Sequence, residues 1–112
     1  MRLHDFESAV DAVLESLPEW VIDQIDNLVV VVEESPTTDQ GDVLGVYEGV
    51  ALNERGDYSG VLPDRIVIFR RPHLELGLTE EELTAEIRKT VLHEIAHHLG
   101  FDDERLDELG WG

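Results

Sequence analysis

The chain has 112 residues, with 26 acidic side chains against 8 Lys and Arg, no cysteine and 6% aromatics. That length suits one compact domain, residues 1–112, with a core and one cleft; 42% hydrophobic content argues against disorder despite a formal net charge of −18. A field of that sign repels phosphate backbones and attracts metal ions and basic peptides, which makes nucleic acid a poor expected partner.

Without cysteine there is no disulfide and no thiolate metal site, so a transition metal would have to be held by imidazole and carboxylate. Residues 1–10 are interrupted by His4, Asp5 and Glu7 and lack the apolar stretch of a signal peptide. The longest apolar run, Leu28 to Val32, is too short to cross a bilayer. The expectation is a soluble, cytoplasmic protein with no membrane partner; the oligomeric state is not legible.

In chain order, residues 4–17 place Phe6, Val10, Val13, Leu14 and Leu17 at three- and four-residue steps, the pattern of an amphipathic helix. Pro18 ends it or opens a short second helix through Trp20, Val21 and Ile25. Leu28 to Glu33 is a β-branched run of strand length, expected to be a buried strand. Ser35 to Asp42, with Pro36 and Gly41, reads as a loop. Val43 to Leu52 alternates imperfectly between glycines and is expected near a sheet edge. Asn53 to Pro63 is turn-rich, and Arg65 to Phe69 is a second firm strand, closed by Pro72. Thr79 followed by Glu80, Glu81 and Glu82 is an N-cap with carboxylates facing the positive end of a helix dipole. That helix should run to about Leu99 and stop at Gly100, with a short last helix from Asp103 to Leu109. The order predicts an α+β fold: helices covering one face of a small mixed or antiparallel sheet.

Along the long helix, Leu83, Ile87, Val91, Ile95 and Leu99 recur every four residues and form the stripe that faces the sheet. His93 and His97 keep the same step but point roughly opposite the stripe, at about 100° per residue, with Glu86 and Thr90 on their side. Two imidazoles one turn apart converge on a common point, which is what a helix needs to grip one metal ion. Glu94 sits about 100° round from His93, placed to reach a metal-bound water and not the metal itself. Zinc lowers the pKa of such a water towards about 7, and a carboxylate can then take its proton at neutral pH. A His-Glu-x-x-His segment on a helix is the zincin signature. Gly100 follows His97 by three residues and permits the positive φ of a sharp turn. Asp103 follows by six, so His93, His97 and Asp103 supply three ligands and leave a fourth position open.

The extended string resembles the zincin motif with its helix-glycine-turn arrangement, with aspartate where metzincins place a third histidine. Together with Leu44-Gly45-Val46-Tyr47-Glu48-Gly49-Val50 and Leu62-Pro63-Asp64-Arg65-Ile66, it is similar to the short bacterial zincin-like metallopeptidases over roughly residues 5–109. The resemblance implies a minimal zincin-like fold, a peptidase activity, zinc on His93, His97 and Asp103, and Glu94 as catalytic acid/base. The chain departs from metzincins in having no methionine beyond Met1, hence no Met-turn. Asp103 is preferred as third ligand, with Asp102 and Glu104 as rivals and Glu108 too near His97. The 112 residues are expected to hold no counterpart of the large second subdomain that completes the cleft of bigger zincins.

Of the other residues, Asp103 has the plainer reading of a helix N-cap, and His98 that of a surface or supporting residue. His4 and His73 are isolated and carry no assigned role. Tyr47 either packs as a strand tyrosine, the simpler reading, or stabilises a tetrahedral oxyanion. The strand around it could pair with an extended peptide. Three functions compete: a zinc-dependent peptidase acting on a peptide or protein; a metal- and peptide-binding protein that does not cleave; and a metal-dependent ribonuclease, disfavoured by the missing glutamate in the nuclease motif and by the negative charge.

Overall fold

A computed structural model describes residues 1–51, 53 and 62–111. Two N-terminal helices, α1 (Leu3–Glu15) and α2 (Glu19–Gln24), precede strand β1 (Leu28–Glu33), a 3₁₀ turn (Thr38–Gln40) and strand β2 (Gly45–Glu48). Strand β3 (Asp64–Phe69) leads directly into the one-turn helix α3 (Arg70–Leu74), then the long helix α4 (Glu80–Leu99) and α5 (Asp103–Leu109).

The three strands form a mixed sheet in the order β1-β3-β2. The central β3 runs parallel to β1, with Val30 opposite Ile66 and Val32 opposite Ile68. It runs antiparallel to β2, with Gly45 opposite Ile68 and Tyr47 opposite Ile66. These registers put Val30, Val32, Tyr47, Ile66 and Ile68 on one face, the face that packs under the helices. The core joins them to Phe6, Val10 and Val13 of α1, Val21 of α2, and the α4 stripe Leu83, Ile87, Val91, Ile95 and Leu99. This is the expected α+β architecture, with the N-terminal and long helices on one face of a small mixed sheet.

The caps of α4 are set locally. Thr79 accepts from the Glu82 backbone N–H while the Glu82 carboxylate accepts from the Thr79 N–H, a reciprocal capping box. At the other end Gly100 adopts φ 80°, and the Phe101 N–H reaches back to the Ala96 carbonyl at 2.9 Å, closing the helix in a left-handed turn.

The structure corrects several sequence expectations. The first helix ends at Glu15, although Leu17 beyond it is still buried. The β1 strand is not buried: it is a half-exposed edge, because among the described residues only β3 pairs with it. The second strand is shorter than 43–52, covering Gly45–Glu48. Pro72 does not close the chain after β3 but lies in the first turn of α3, where its missing N–H costs no helical bond. The turn-rich stretch expected at 53–63 lies largely outside the described residues. No helix among the described residues is long and apolar enough to cross a membrane.

Candidate metal centre

The last three turns of α4 bring His93, Glu94 and His97 together. Each offers a ligand atom, and the three atoms lie within 4.8 Å of one another. The imidazoles of His93 and His97 meet edge to face with centroids 4.5 Å apart, and both are exposed. Glu94 is different: only 4% of it is exposed. Its Oε1 lies 3.0 Å from His97 Nδ1, while its buried Oε2 has no hydrogen-bond partner among the described residues. Burial pushes the Glu94 carboxyl above the usual carboxylate range, opposed in part by the neighbouring His93.

The polar row foreseen along the helix is real. Glu86, Lys89, Thr90, His93, Glu94 and His97 line one wall of a cavity of about 370 Å³, and Val43, Leu44 and Gly45 line the other. Gly45 admits this close approach, since a Cβ there would stand 3.0 Å from the Thr90 methyl. A second cavity, of about 470 Å³, lies across His97 and is lined by Tyr47, Gly49, Ala51, Asn53, Gly100, Phe101 and Asp102. The His97 ring thus separates two hollows along the β2 edge.

The remaining site residues fall as follows. Gly100 makes the left-handed turn beyond His97, and its carbonyl accepts from Asn53 Nδ2 at 3.2 Å. The positive φ at Gly100 favours glycine, and a Cβ there would have to displace the exposed Asn53 side chain. Asp103 is exposed, at the first position of α5, and does not join the His93-Glu94-His97 group. The N-cap of α5 is its neighbour Asp102, whose Oδ1 accepts from the Arg105 N–H at 2.9 Å. The capping role weighed for Asp103 therefore belongs to Asp102. Glu108 pairs with Arg105 at 3.2 Å. The hydroxyl of Tyr47 donates to Asp64, and its ring centroid is 6.5 Å from that of His97.

Two histidines hold positions that the sequence did not reveal. His98 is fully buried, not a surface residue, with Nδ1 3.0 Å from Asp64 Oδ2. His73 is equally buried; its Nδ1 bonds the Phe69 carbonyl at 2.7 Å and its Nε2 bonds Thr90 Oγ1 at 2.9 Å. Burial holds the His73 imidazole below the usual histidine range, against the opposing pull of the Phe69 carbonyl and Glu86. Their partners lie 4 to 72 residues away in sequence, and of these only the four-residue step from Phe69 is a spacing a single helix could have suggested.

A small sheet carrying a helix with two turn-spaced imidazoles and a buried glutamate between them defines a zincin-type architecture. A family model described as zincin-like metallopeptidase matches residues 25–111, and the chain belongs to that family. A solved structure, a conserved hypothetical protein from Thermus thermophilus, shares the fold. It aligns with a TM-score of 0.58 and 23% identity over 96% of this chain and 99% of that one. No curated protein matches the chain.

Proposed function

We propose that this protein is a metal-dependent peptidase, with zinc as the metal, acting on a peptide or protein substrate. The observation that carries the reading is the group His93, Glu94 and His97, whose ligand atoms lie within 4.8 Å of one another beside a buried Glu94 oxygen that has no hydrogen-bond partner among the described residues. A carboxylate oxygen withdrawn from solvent without a hydrogen bond costs stability, and a divalent ion with its solvent next to that oxygen would relieve the cost. The donor set fits: imidazole and carboxylate suit zinc in the absence of thiolates. His93 and His97 would hold the ion, and Asp103 would complete the set from beyond the Gly100 turn. Its nearest rival, Asp102, is already engaged as a helix cap.

A divalent ion at this position supplies a Lewis acid that polarises the scissile carbonyl and acidifies water. The chain's own residues do the rest. Glu94 takes the proton of the attacking water on its carboxylate and delivers it to the departing amine nitrogen. Burial raises its proton affinity toward the working pH, which suits a group that must both accept and release a proton. The β2 edge, unpaired on its outer side among the described residues, offers main-chain groups to an extended substrate. Side chains of that substrate would enter the hollows on either side of His97.

Metal analysis of protein grown with ample zinc, together with the Glu94→Gln variant, tests this directly. The expected result is one zinc per chain in both proteins and cleavage of a peptide library by the wild type alone. Wild type without zinc refutes the proposal at its root. A second reading, a metal- and peptide-binding protein that does not cleave, is favoured by the place of Asp103 outside the three-residue group. Full zinc occupancy with no cleavage product would decide for it.

A further inference from the structure

Beneath the exposed imidazoles lies a buried polar group that the proposed reaction does not use. Asp64, the first residue of β3, is 2% exposed, and His98, the residue after His97, is fully buried. We propose that Asp64, His98 and Tyr47 form a positioning unit that fixes the rotation of the last turn of α4 and so sets the metal affinity of His97, with Tyr47 serving as a strut and not as an oxyanion donor. The inference rests on the metal-site reading above.

The hydrogen bonds define the unit. The Asp26 N–H donates to His98 Nε2 at 3.2 Å, so that nitrogen presents its lone pair. The ring proton is therefore on Nδ1, which donates to Asp64 Oδ2 at 3.0 Å. The Tyr47 hydroxyl donates to the same carboxylate oxygen. One oxygen thereby ties α4, β2 and β3 together, and His98 adds the turn before β1. The space is close-packed around it: Gly49 has φ 153°, and a Cβ there would overlap the Asp64 carboxyl. The Tyr47 ring lies 6.0 Å from His98 and 6.5 Å from His97, against two successive residues of the helix.

A buried carboxylate is an expensive way to hold a core together, since well-packed apolar residues do so at less desolvation cost. Its use here follows from geometry. Successive helix residues are locked about 100° apart, so fixing the direction of His98 fixes that of His97. A rotation of about 15° would sweep a side chain at the helix surface through roughly 1.5 Å. Metal–ligand distances tolerate only about 0.2 Å. Apolar packing alone, being non-directional, does not set the rotation so finely.

The test is zinc affinity, measured by competition with a chromophoric chelator at a temperature where circular dichroism shows each variant folded. Asp64→Asn and His98→Leu are expected to weaken zinc by about 10- to 100-fold with all ligands intact, the range found when groups supporting a ligand are lost. His98→Asn, whose amide N–H can replace the Nδ1 donor, should recover most of that loss. Tyr47→Phe should weaken zinc several-fold, and at saturating zinc its loss of kcat should stay well below the about 100-fold or more that loss of an oxyanion donor would cost. If Asp64→Asn or His98→Leu fails to fold, His98→Asn and Tyr47→Phe still decide. Folded variants that bind zinc like the wild type overturn the unit, and Tyr47→Phe with intact zinc affinity but a 100-fold lower kcat overturns the strut. A wild type that takes up no zinc overturns the metal-site reading itself, and is thereby distinguishable.

Discussion

Replacing Glu94 by Gln should make the metal-free protein more stable at neutral pH. The wild-type side chain carries a charge into a site where it is 4% exposed and where Oε2 has no hydrogen-bond partner among the described residues. An unsatisfied buried polar group costs about 1–3 kcal/mol. Glutamine keeps the shape and removes the charge but leaves its own amide to be satisfied, so a net gain of about 1 kcal/mol is the reasonable expectation. For a domain of this size that is roughly 3–7 °C in Tm. The pH dependence follows from the raised carboxyl, whose largest cause is burial, opposed by His93. Between the ordinary carboxyl range and the raised value, the folded protein holds a proton that the unfolded chain has released. Wild-type stability therefore falls as pH rises through that window and stays lower above it. Gln lacks this contribution, so the two melting curves should coincide in acid, separate as pH rises through the window, and keep a constant gap beyond it. Scanning calorimetry of both metal-free proteins from pH 4 to 8 measures the gap. A variant equal to or less stable than wild type at pH 7–8 would refute the assignment of Glu94 as a buried carboxylate held against its solvation.

His97→Ala should abolish stoichiometric zinc while leaving the fold intact, because the ring is exposed; metal analysis with circular dichroism checks both halves. Asp103→Ala should weaken zinc by an order of magnitude or more, whereas Asp102→Ala should cost about 1 kcal/mol of stability through the lost cap and spare zinc; calorimetry with zinc competition separates them. His73 is held below the usual histidine range by burial, so as pH falls below about 6.5 the unfolded chain takes a proton that the fold resists. Wild-type stability should decline there at up to about 1.4 kcal/mol per pH unit, and His73→Gln should flatten that slope in urea titrations. Gly49→Ala should destabilise the fold, since the new methyl meets Asp64 at a φ that L-residues avoid; a lowered urea midpoint is the readout.

What was legible in the sequence was what local chemistry determines. The long helix is written in its own residues: the Thr79–Glu82 box, the four-residue stripe, and Gly100 at the end. The pairing of His93 with His97 belongs to the same class, because the helix alone brings them together. Helix α3 was not legible, since five residues carry no periodicity and Pro72 reads equally as a stop or as a first turn. A run of valines cannot say whether β1 is central or at an edge; strand order decides that, and strand order is non-local. The buried partners of Asp64, His98 and His73 were hidden for a related reason. Isolated polar residues give no periodic signal, and their hydrogen bonds span 17 to 72 residues apart from the Phe69 contact.

The central strand is tied to α4 at both of its ends. Asp64, its first residue, takes His98, and Phe69, its last, takes His73, which in turn holds Thr90. The segment bearing His93 and His97 lies between those two moorings. Its donors are consequently in place before any ion arrives. On the proposed reading, an ion would meet these two imidazoles already held in place, and what its capture would still require is the approach of Asp103 from beyond the Gly100 turn.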